Sequence, residues 1–110
     1  MIKRISLVWK HPHLPDARFR ELWLGEHVAY AREIPGVREY TIDFITAAPA
    51  GAPSGIATLR FDDMAALERA FSNPQLNEHL SRTRATFAAS VQIFIVEENT
   101  IIPHTPTDTP

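Results

Sequence analysis

The sequence predicts an α+β protein of the ferredoxin-like type, in which two helices cover one face of a four-stranded antiparallel sheet. Three observations predict this fold. Four segments have the composition and alternation of strands, two longer segments have the apolar spacing of helices, and these segments follow one another in the order βαββαβ. The chain of 110 residues is long enough for one domain and too short for two.

The first half of the chain predicts a strand, a helix and a second strand. Segment 2–10, IKRISLVWK, alternates in the manner of a strand and places Ile5, Leu7 and Trp9 on one face. Residues 15–34 then carry apolar side chains at helical spacing, and the PG pair that follows ends this helix. Segment 37–47, VREYTIDFITA, alternates again and predicts the second strand.

The second half predicts a loop, a strand, an interrupted helix and a final strand. Residues 47–55, AAPAGAPSG, have a loop composition and precede the third strand, IATLRF. The helix DDMAALERAFS begins with Asp62 or Asp63 as its cap, is interrupted at Asn73–Pro74 and resumes as QLNEHLSRTRATFAA. The last strand is VQIFIVEE. We therefore expect one domain over residues 1–98 and a proline- and threonine-rich tail over residues 99–110.

The sheet face away from the helices predicts a homodimer. Strands one, two and four all carry apolar side chains on both sides, and large apolar faces are seldom left exposed on monomers. We therefore expect two chains to pack sheet to sheet. The alternative is a monomer whose open face is mixed in character.

Composition excludes several classes of partner and chemistry. A net charge of -2 gives no basic surface for nucleic acid or for an anionic membrane. No apolar run approaches the roughly 20 residues that cross a bilayer, and the N-terminal residues lack the apolar stretch of a secretory signal, so we expect a cytoplasmic protein with no membrane partner. The absence of cysteine excludes disulfides, thiolate metal sites and a cysteine nucleophile.

His27 is the first candidate for chemistry. On a helical wheel it lies about 80° from Phe19, at one edge of the apolar arc. A buried imidazole without a hydrogen-bond partner costs roughly 1–3 kcal/mol, so His27 is either a structural residue with a satisfied ring or a group kept neutral by burial, as a general base must be. Tyr40 follows on the strand that this helix covers, so a phenol and an imidazole are expected to line one cavity, unless Tyr40 only packs in the core.

The sequence gives little support for a metal site, a catalytic nucleophile or a cofactor site. His11, His13 and Asp16 are close in sequence but lack a third and fourth convincing ligand, so no metal site is expected. No nucleophile elbow, phosphate-binding loop or dinucleotide fingerprint is present, and no cofactor is expected.

The run FRELWLGEHVAYAREIPGVREY resembles the signature of the EthD family, named for ethyl tert-butyl ether degradation, within the dimeric α+β barrel superfamily. The segment GIATLRFDDMAALERAFSNP is similar to the third strand and second helix of that family, and the resemblance covers residues 1–98. Thr83 stands where family members often carry an acidic residue in a D-x3-F pattern. The matching positions of the first run are Phe19, Trp23, His27, Pro35, Gly36 and Tyr40.

The resemblance implies a homodimer whose sheets form a barrel, with a pocket in each subunit between sheet and helices. Relatives that move protons without a cofactor, such as muconolactone and methylmuconolactone isomerases and polyketide cyclases, imply a cofactor-independent isomerase, lyase or cyclase acting on a small oxygenated, mainly apolar metabolite. The methylmuconolactone enzyme also uses cysteines, which this chain lacks. The catalytic residues would be His27 and Tyr40, and the pocket walls Phe19, Trp9 and Trp23.

Two alternatives remain open from the sequence. The first is a non-enzymatic accessory or ligand-binding protein of an oxidative system that degrades ethers or aromatic compounds. The second is an oxidoreductase, including a monooxygenase, because such chemistry occurs on the same dimeric barrel.

Overall fold

The computed structural model describes residues 1–106, which form one antiparallel sheet with all helices on one face. The last four residues of the expected tail lie outside the described residues. The strand order β2-β3-β1-β4 and the position of the helices confirm the predicted ferredoxin-like fold. The elements are β1 (Ile2–Lys10), α1 (Asp16–Leu22), α2 (Val28–Ala31), β2 (Glu39–Phe44), β3 (Gly55–Phe61), α3 (Met64–Ala70), α4 (Pro74–Ala85) and β4 (Ala88–Glu97).

The first predicted helix is interrupted in its middle. A π-helical turn, Trp23–His27, joins α1 to α2, and Gly25 within it has φ −86° and ψ −116°, outside the helical range. A π-helical turn or a glycine is a common cause of a sharp bend in a helix. The kink therefore separates the two helical halves immediately before His27.

The second helical region is divided where the sequence predicted an interruption. The Asp63 carboxylate accepts a hydrogen bond of 2.8 Å from the Ala66 backbone N–H and so caps α3, which decides between the two candidate aspartates. The Asn73 side chain caps α4, and Pro74 occupies its first turn, where a missing backbone N–H has no cost. Residues 73–74 thus start α4 after α3 has ended.

The face of the sheet that meets the helices carries the core. Ser6 and Val8 of β1 are buried on this face, so the alternating Ile5, Leu7 and Trp9 lie on the opposite, open face. The largest fully buried side chains are Trp23, Phe61, Phe87, Val8 and Thr83.

The open face differs in part from its sequence prediction. Ile5 pairs with Phe94, which is 48% exposed, so β1 and β4 do present apolar side chains there. On β2, however, the side chains of that face are the polar Glu39, Thr41 and Asp43, because Tyr40, Ile42 and Phe44 turn towards the helices. The apolar part of the open face therefore follows β1 and β4, and not β2. No helix within residues 1–106 has the length and apolar character needed to span a membrane.

Candidate functional site

A small cavity with a mixed polar and apolar lining lies between the sheet, the kinked helix and α4. Its volume is about 20 Å³, which is enough for one water molecule. Three of the residues predicted from the sequence, Trp23, His27 and Tyr40, line it. The side chains that give the cavity its polar character are Arg4, Ser6, Trp23, His27, Tyr40 and Arg84.

His27 lies at the end of the π-helical turn, and only 6% of its surface is exposed to solvent. Its Nδ1 atom is 2.7 Å from the Thr83 hydroxyl oxygen, and that hydroxyl donates its only proton to the His79 carbonyl oxygen at 2.8 Å. The Leu80 carbonyl also lies near the ring, and Nε2 faces no acceptor in residues 1–106, so we assign the imidazole proton to Nδ1 with the Thr83 oxygen as its acceptor. This leaves Nε2 with a lone pair and with no hydrogen-bond partner among residues 1–106.

Burial and nearby positive charge keep this imidazole neutral. Burial, followed by the charges of Arg84 and Arg4, lowers the pKa of His27 to about 4, and the Leu80 carbonyl partly opposes this change. The unprotonated ring is therefore the dominant form above about pH 4. A neutral imidazole with an available nitrogen can accept a proton.

Tyr40 provides a hydrogen-bond donor at the same cavity. Burial raises the pKa of its phenol, while Trp23, Arg84 and Arg4 partly offset that rise, so the hydroxyl stays protonated near neutral pH. The Trp23 indole lies close enough to Tyr40 to influence it, yet no hydrogen bond of normal geometry joins the two groups, and the buried Trp23 Nε1 has no acceptor in the described chain.

Gly55 allows Trp23 to approach the sheet. A Cβ atom at Gly55 would lie 2.5 Å from Trp23 Cζ3, so a side chain at this position would displace the indole or the strand. On its other side, Trp23 stacks on Phe87 with ring centroids 5.1 Å apart. The indole that forms part of the cavity wall is thus fixed between strand and aromatic ring.

The other two predicted pocket residues do not line the cavity. Phe19 is buried behind it, with its ring centroid 5.5 Å from Trp23 and 5.8 Å from Phe87. Trp9 lies on the open face of the sheet, where its indole N–H donates to the Gly51 carbonyl at 3.0 Å. Phe19 supports a wall residue, and Trp9 is separated from the cavity by the sheet.

Four residues of the site were missed by the sequence reasoning: Arg4, Ser6 and Arg84, which line the cavity, and Thr83, which contacts His27. One sequence feature could have indicated Thr83: it stands at a position where EthD-like sequences are expected to carry an acidic residue. In the structure Thr83 forms a hydrogen bond with His27. Arg4 stands among the helix-facing positions of β1, where a charged residue is unusual. A role for Arg84 in the site could not be predicted, because positively charged residues are common at the C-terminal end of a helix.

A larger cleft adjoins the cavity. Its volume is about 380 Å³, and it lies between β1, α3 and α4. Arg4, Phe71, Leu80 and Arg84 line both spaces, so these four side chains form the boundary between them.

The two histidines after β1 have a structural contact. His11 Nε2 is 2.8 Å from the Ala85 carbonyl oxygen, to which it donates, and the His13 ring lies 5.3 Å from that of His11. Within the described part of the chain, no three His, Asp or Glu side chains gather as metal ligands do.

The fold places this chain among ferredoxin-like proteins. A dimeric ferredoxin-like protein of unknown function from Bacteroides fragilis superposes with a TM-score of 0.65 at 14% identity, covering 88% of this chain and 95% of that one. More particularly, an ethyl tert-butyl ether (EthD) family protein from Bacillus halodurans has a TM-score of 0.74 at 24% identity, covering 90% and 99%. The predicted resemblance to EthD proteins is thus confirmed at the level of the fold.

Three further comparisons concern the sequence and the fold. No family model matches the sequence. An uncharacterized 11.0 kDa protein from the thcB-thcC intergenic region of Rhodococcus erythropolis is 28% identical over 103 residues, which are 91% of this chain and 98% of that protein. SnoaB, a cofactor-independent oxygenase from Streptomyces nogalater, shares the fold with a TM-score of 0.66 at 14% identity, covering 94% and 97%.

Proposed function

We propose that this protein is a cofactor-independent enzyme of the EthD type that moves a proton on a small oxygenated, mainly apolar metabolite, as an isomerase, lyase or cyclase does. One observation carries the proposal: a neutral imidazole with an unpartnered Nε2 and a protonated phenol line the same cavity. A base and a hydrogen-bond donor are the two groups that removal of a proton next to a carbonyl requires.

In this reaction His27 Nε2 takes a proton from a carbon atom beside the carbonyl group of the ligand. The negative charge that develops on the carbonyl oxygen is stabilised by a hydrogen bond from Tyr40. The imidazolium then returns the proton to a different carbon, or to a leaving group. Thr83 keeps the ring in the tautomer that this step needs, because its oxygen accepts from Nδ1.

The size of the cavity supports a second candidate, a ligand-binding protein without chemistry. About 20 Å³ does not hold a metabolite, so a ligand reaches His27 only if the boundary with the outer cleft moves. A binding protein needs only the outer cleft. The likeness to SnoaB supports a third candidate, a cofactor-independent oxygenase.

Proton abstraction can be tested without knowing the full reaction. Small lactones, ketones and carboxylic acids are incubated with the protein in D2O, and loss of the proton signal next to the carbonyl is followed by NMR. The wild type should exchange at least one compound, His27→Gln should lower the rate by roughly 10²–10⁴-fold, and Tyr40→Phe should lower it less. His13→Gln and Tyr30→Phe are the matched controls, since neither side chain lines the cavity.

An active His27→Gln protein would refute the assignment of the base. Ligand binding with no exchange in the wild type would favour the binding protein, and consumption of O2 would favour the oxygenase.

We also propose that the protein is a homodimer formed through the apolar part of the open face. Ile5 and Phe94 pair across β1 and β4 on this face, and exposed apolar patches of this kind mark interaction surfaces. The dimeric description of the Bacteroides fragilis protein supports the same arrangement. Analytical ultracentrifugation of the full chain tests it.

A further inference from the structure

Three arginines are partly buried, and they differ in their partners. Arg60 is paired with Glu98 at 2.6 Å and with Glu39 at 3.3 Å. Arg4 and Arg84 have no carboxylate within ion-pair distance anywhere in residues 1–106. Buried charges in proteins are normally paired, so two unpaired guanidinium groups at one site require an explanation.

These two side chains come from different elements and meet at one boundary. Arg4 is on β1 and Arg84 is in the last turn of α4, and both line the small cavity as well as the outer cleft. The Arg4 guanidinium carbon lies 4.5 Å from the centroid of the Phe71 ring. This stacking supports the face of the guanidinium while its N–H groups remain available at the edge.

The electrostatics of the site are uncompensated. Burial and, to a smaller extent, repulsion by the charge of Arg84 together lower the pKa of Arg4 to about 10, whereas Tyr40 opposes this change. Burial also lowers the pKa of Arg84. The buried Trp23 Nε1 adds a donor that has no acceptor in the described chain, so the cavity has an excess of donors and of positive charge.

The outer cleft suggests what the rest of a ligand is like. Its walls include the apolar Leu67, Phe71 and Leu80, and only Asn77 is polar besides the two arginines. A volume of about 380 Å³ is within the range of pockets that bind small molecules. A ligand that fits has an apolar body and one anionic end.

We propose that Arg4 and Arg84, which line the boundary between cavity and outer cleft, bind the carboxylate of a small organic acid whose apolar part lies in the outer cleft. The planar forks of the two guanidinium groups match a carboxylate in geometry and charge. The inference deepens the proposed function and rests on it for the later chemistry, since it names the substrate class of the same site. Binding itself does not require that His27 act as a base.

The first test measures binding by isothermal titration calorimetry with benzoate, phenylacetate, benzyl alcohol and inorganic phosphate. The wild-type protein should bind at least one of the two acids at least about tenfold more tightly than the alcohol, which lacks the charge, and more tightly than phosphate, which lacks the apolar body. Equal affinity for benzyl alcohol, tighter binding of phosphate, or no saturable binding of either acid at about 10 mM would overturn the proposal.

The second test removes one charge at a time. Arg4→Gln and Arg84→Gln should each weaken binding of the acid at least about tenfold and leave the affinity for benzyl alcohol unchanged. Arg69→Gln is the matched control, because Arg69 is exposed on α3 and lines neither space. If a glutamine variant does not fold, Arg4→Lys and Arg84→Lys keep the charge but not the fork, and undiminished binding by both would overturn the assignment.

His27→Gln separates this proposal from the proposed function. The variant should still bind the acid, because both arginines remain, while the rate of proton exchange in D2O falls by roughly 10²–10⁴-fold. Exchange that survives His27→Gln refutes the base and leaves the anion site intact, whereas acid binding that survives both arginine variants refutes the anion site alone.

Discussion

His27 Nδ1 lies 2.7 Å from the hydroxyl oxygen of Thr83, a residue of α4 that is 56 positions further along the chain. The Thr83 hydroxyl also donates to the carbonyl oxygen of His79, one turn earlier in α4. With the imidazole proton assigned to Nδ1, these two hydrogen bonds orient the ring of His27. The orientation of the candidate base is therefore determined by α4, and not by the helix that carries it.

Replacing Thr83 by valine should destabilise the protein. Valine has a similar shape but cannot accept a hydrogen bond, so the buried Nδ1–H of His27 would lose its partner at a cost of about 1–3 kcal/mol in the free energy of unfolding. Urea denaturation measures this loss, and Thr83→Ser, which keeps the hydroxyl, should lose much less. A valine variant as stable as the wild type would mean that the Leu80 carbonyl accepts from His27 instead.

Replacing Thr83 by aspartate should raise the pKa of His27 from about 4, because a carboxylate beside the ring stabilises its charged form. The ring proton signals of His27 in an NMR pH titration report this change. Ser81→Asp, an exposed substitution on the same helix, should leave the titration of His27 in place. An unchanged titration in Thr83→Asp would contradict the contact.

The stability of the protein should fall as the pH decreases from 6.5 towards 4. His27 has a lower pKa in the folded chain, about 4, than its ordinary value of 6.5, so the unfolded chain binds more protons in this interval and is favoured by acid. The full effect is roughly 3 kcal/mol, at about 1.4 kcal/mol for each tenfold change in proton affinity. His27→Gln should show a flatter dependence over this interval in chemical denaturation, and an equal slope would argue against a buried neutral ring.

Much of the fold could be predicted because it depends on local patterns. Alternation identified the strands, and the sequence around Asn73 showed where the second helical region divides. The kink at Gly25 could not be predicted, since a helical wheel assumes a constant rotation of about 100° for each residue. Alternation also shows which side chains of β1 share a face but not which face meets the helices, and Trp9 was misplaced for that reason.

The candidate site could be predicted only where its residues share a helix face or lie on the neighbouring strand. Trp23, His27 and Tyr40 satisfy that condition and line one cavity. Arg84 reaches the cavity, and Thr83 reaches His27, through the packing of α4 against the kinked helix, which no short-range pattern records. The role of Thr83 depends on its 2.7 Å distance from His27, and that of Arg84 on the lack of a carboxylate partner in residues 1–106.

Gly55→Ala should disturb Trp23. The new methyl group would lie 2.5 Å from the indole, and overpacking of this kind costs about 1–3 kcal/mol. Thermal unfolding and tryptophan fluorescence measure the effect. The smaller ring of Trp23→Phe should relieve the clash, so the cost of the double variant should be less than the sum of the two single costs. Additive costs would show that the strand moves and the indole does not.

Phe94→Glu should convert the proposed dimer into a monomer in analytical ultracentrifugation, because a charge would then lie in the apolar part of the open face. Met64→Glu is the control, since Met64 is also an exposed apolar residue, 42% accessible, but belongs to α3 on the helical side. A wild type that sediments as a monomer, or a Phe94→Glu protein that remains a dimer, would contradict the interface.

The π-helical turn fixes the number of residues between Trp23 and His27. Leu24 and Glu26 are exposed, so their side chains contribute little to the interior, whereas Gly25 has the non-helical backbone conformation of the kink. Removal of one of them would rotate everything that follows by about 100° and carry the imidazole away from α4. Among proteins descended from a common ancestor with this one, we therefore expect positions 24 and 26 to vary freely in composition, and the segment 24–26 to tolerate neither insertion nor deletion.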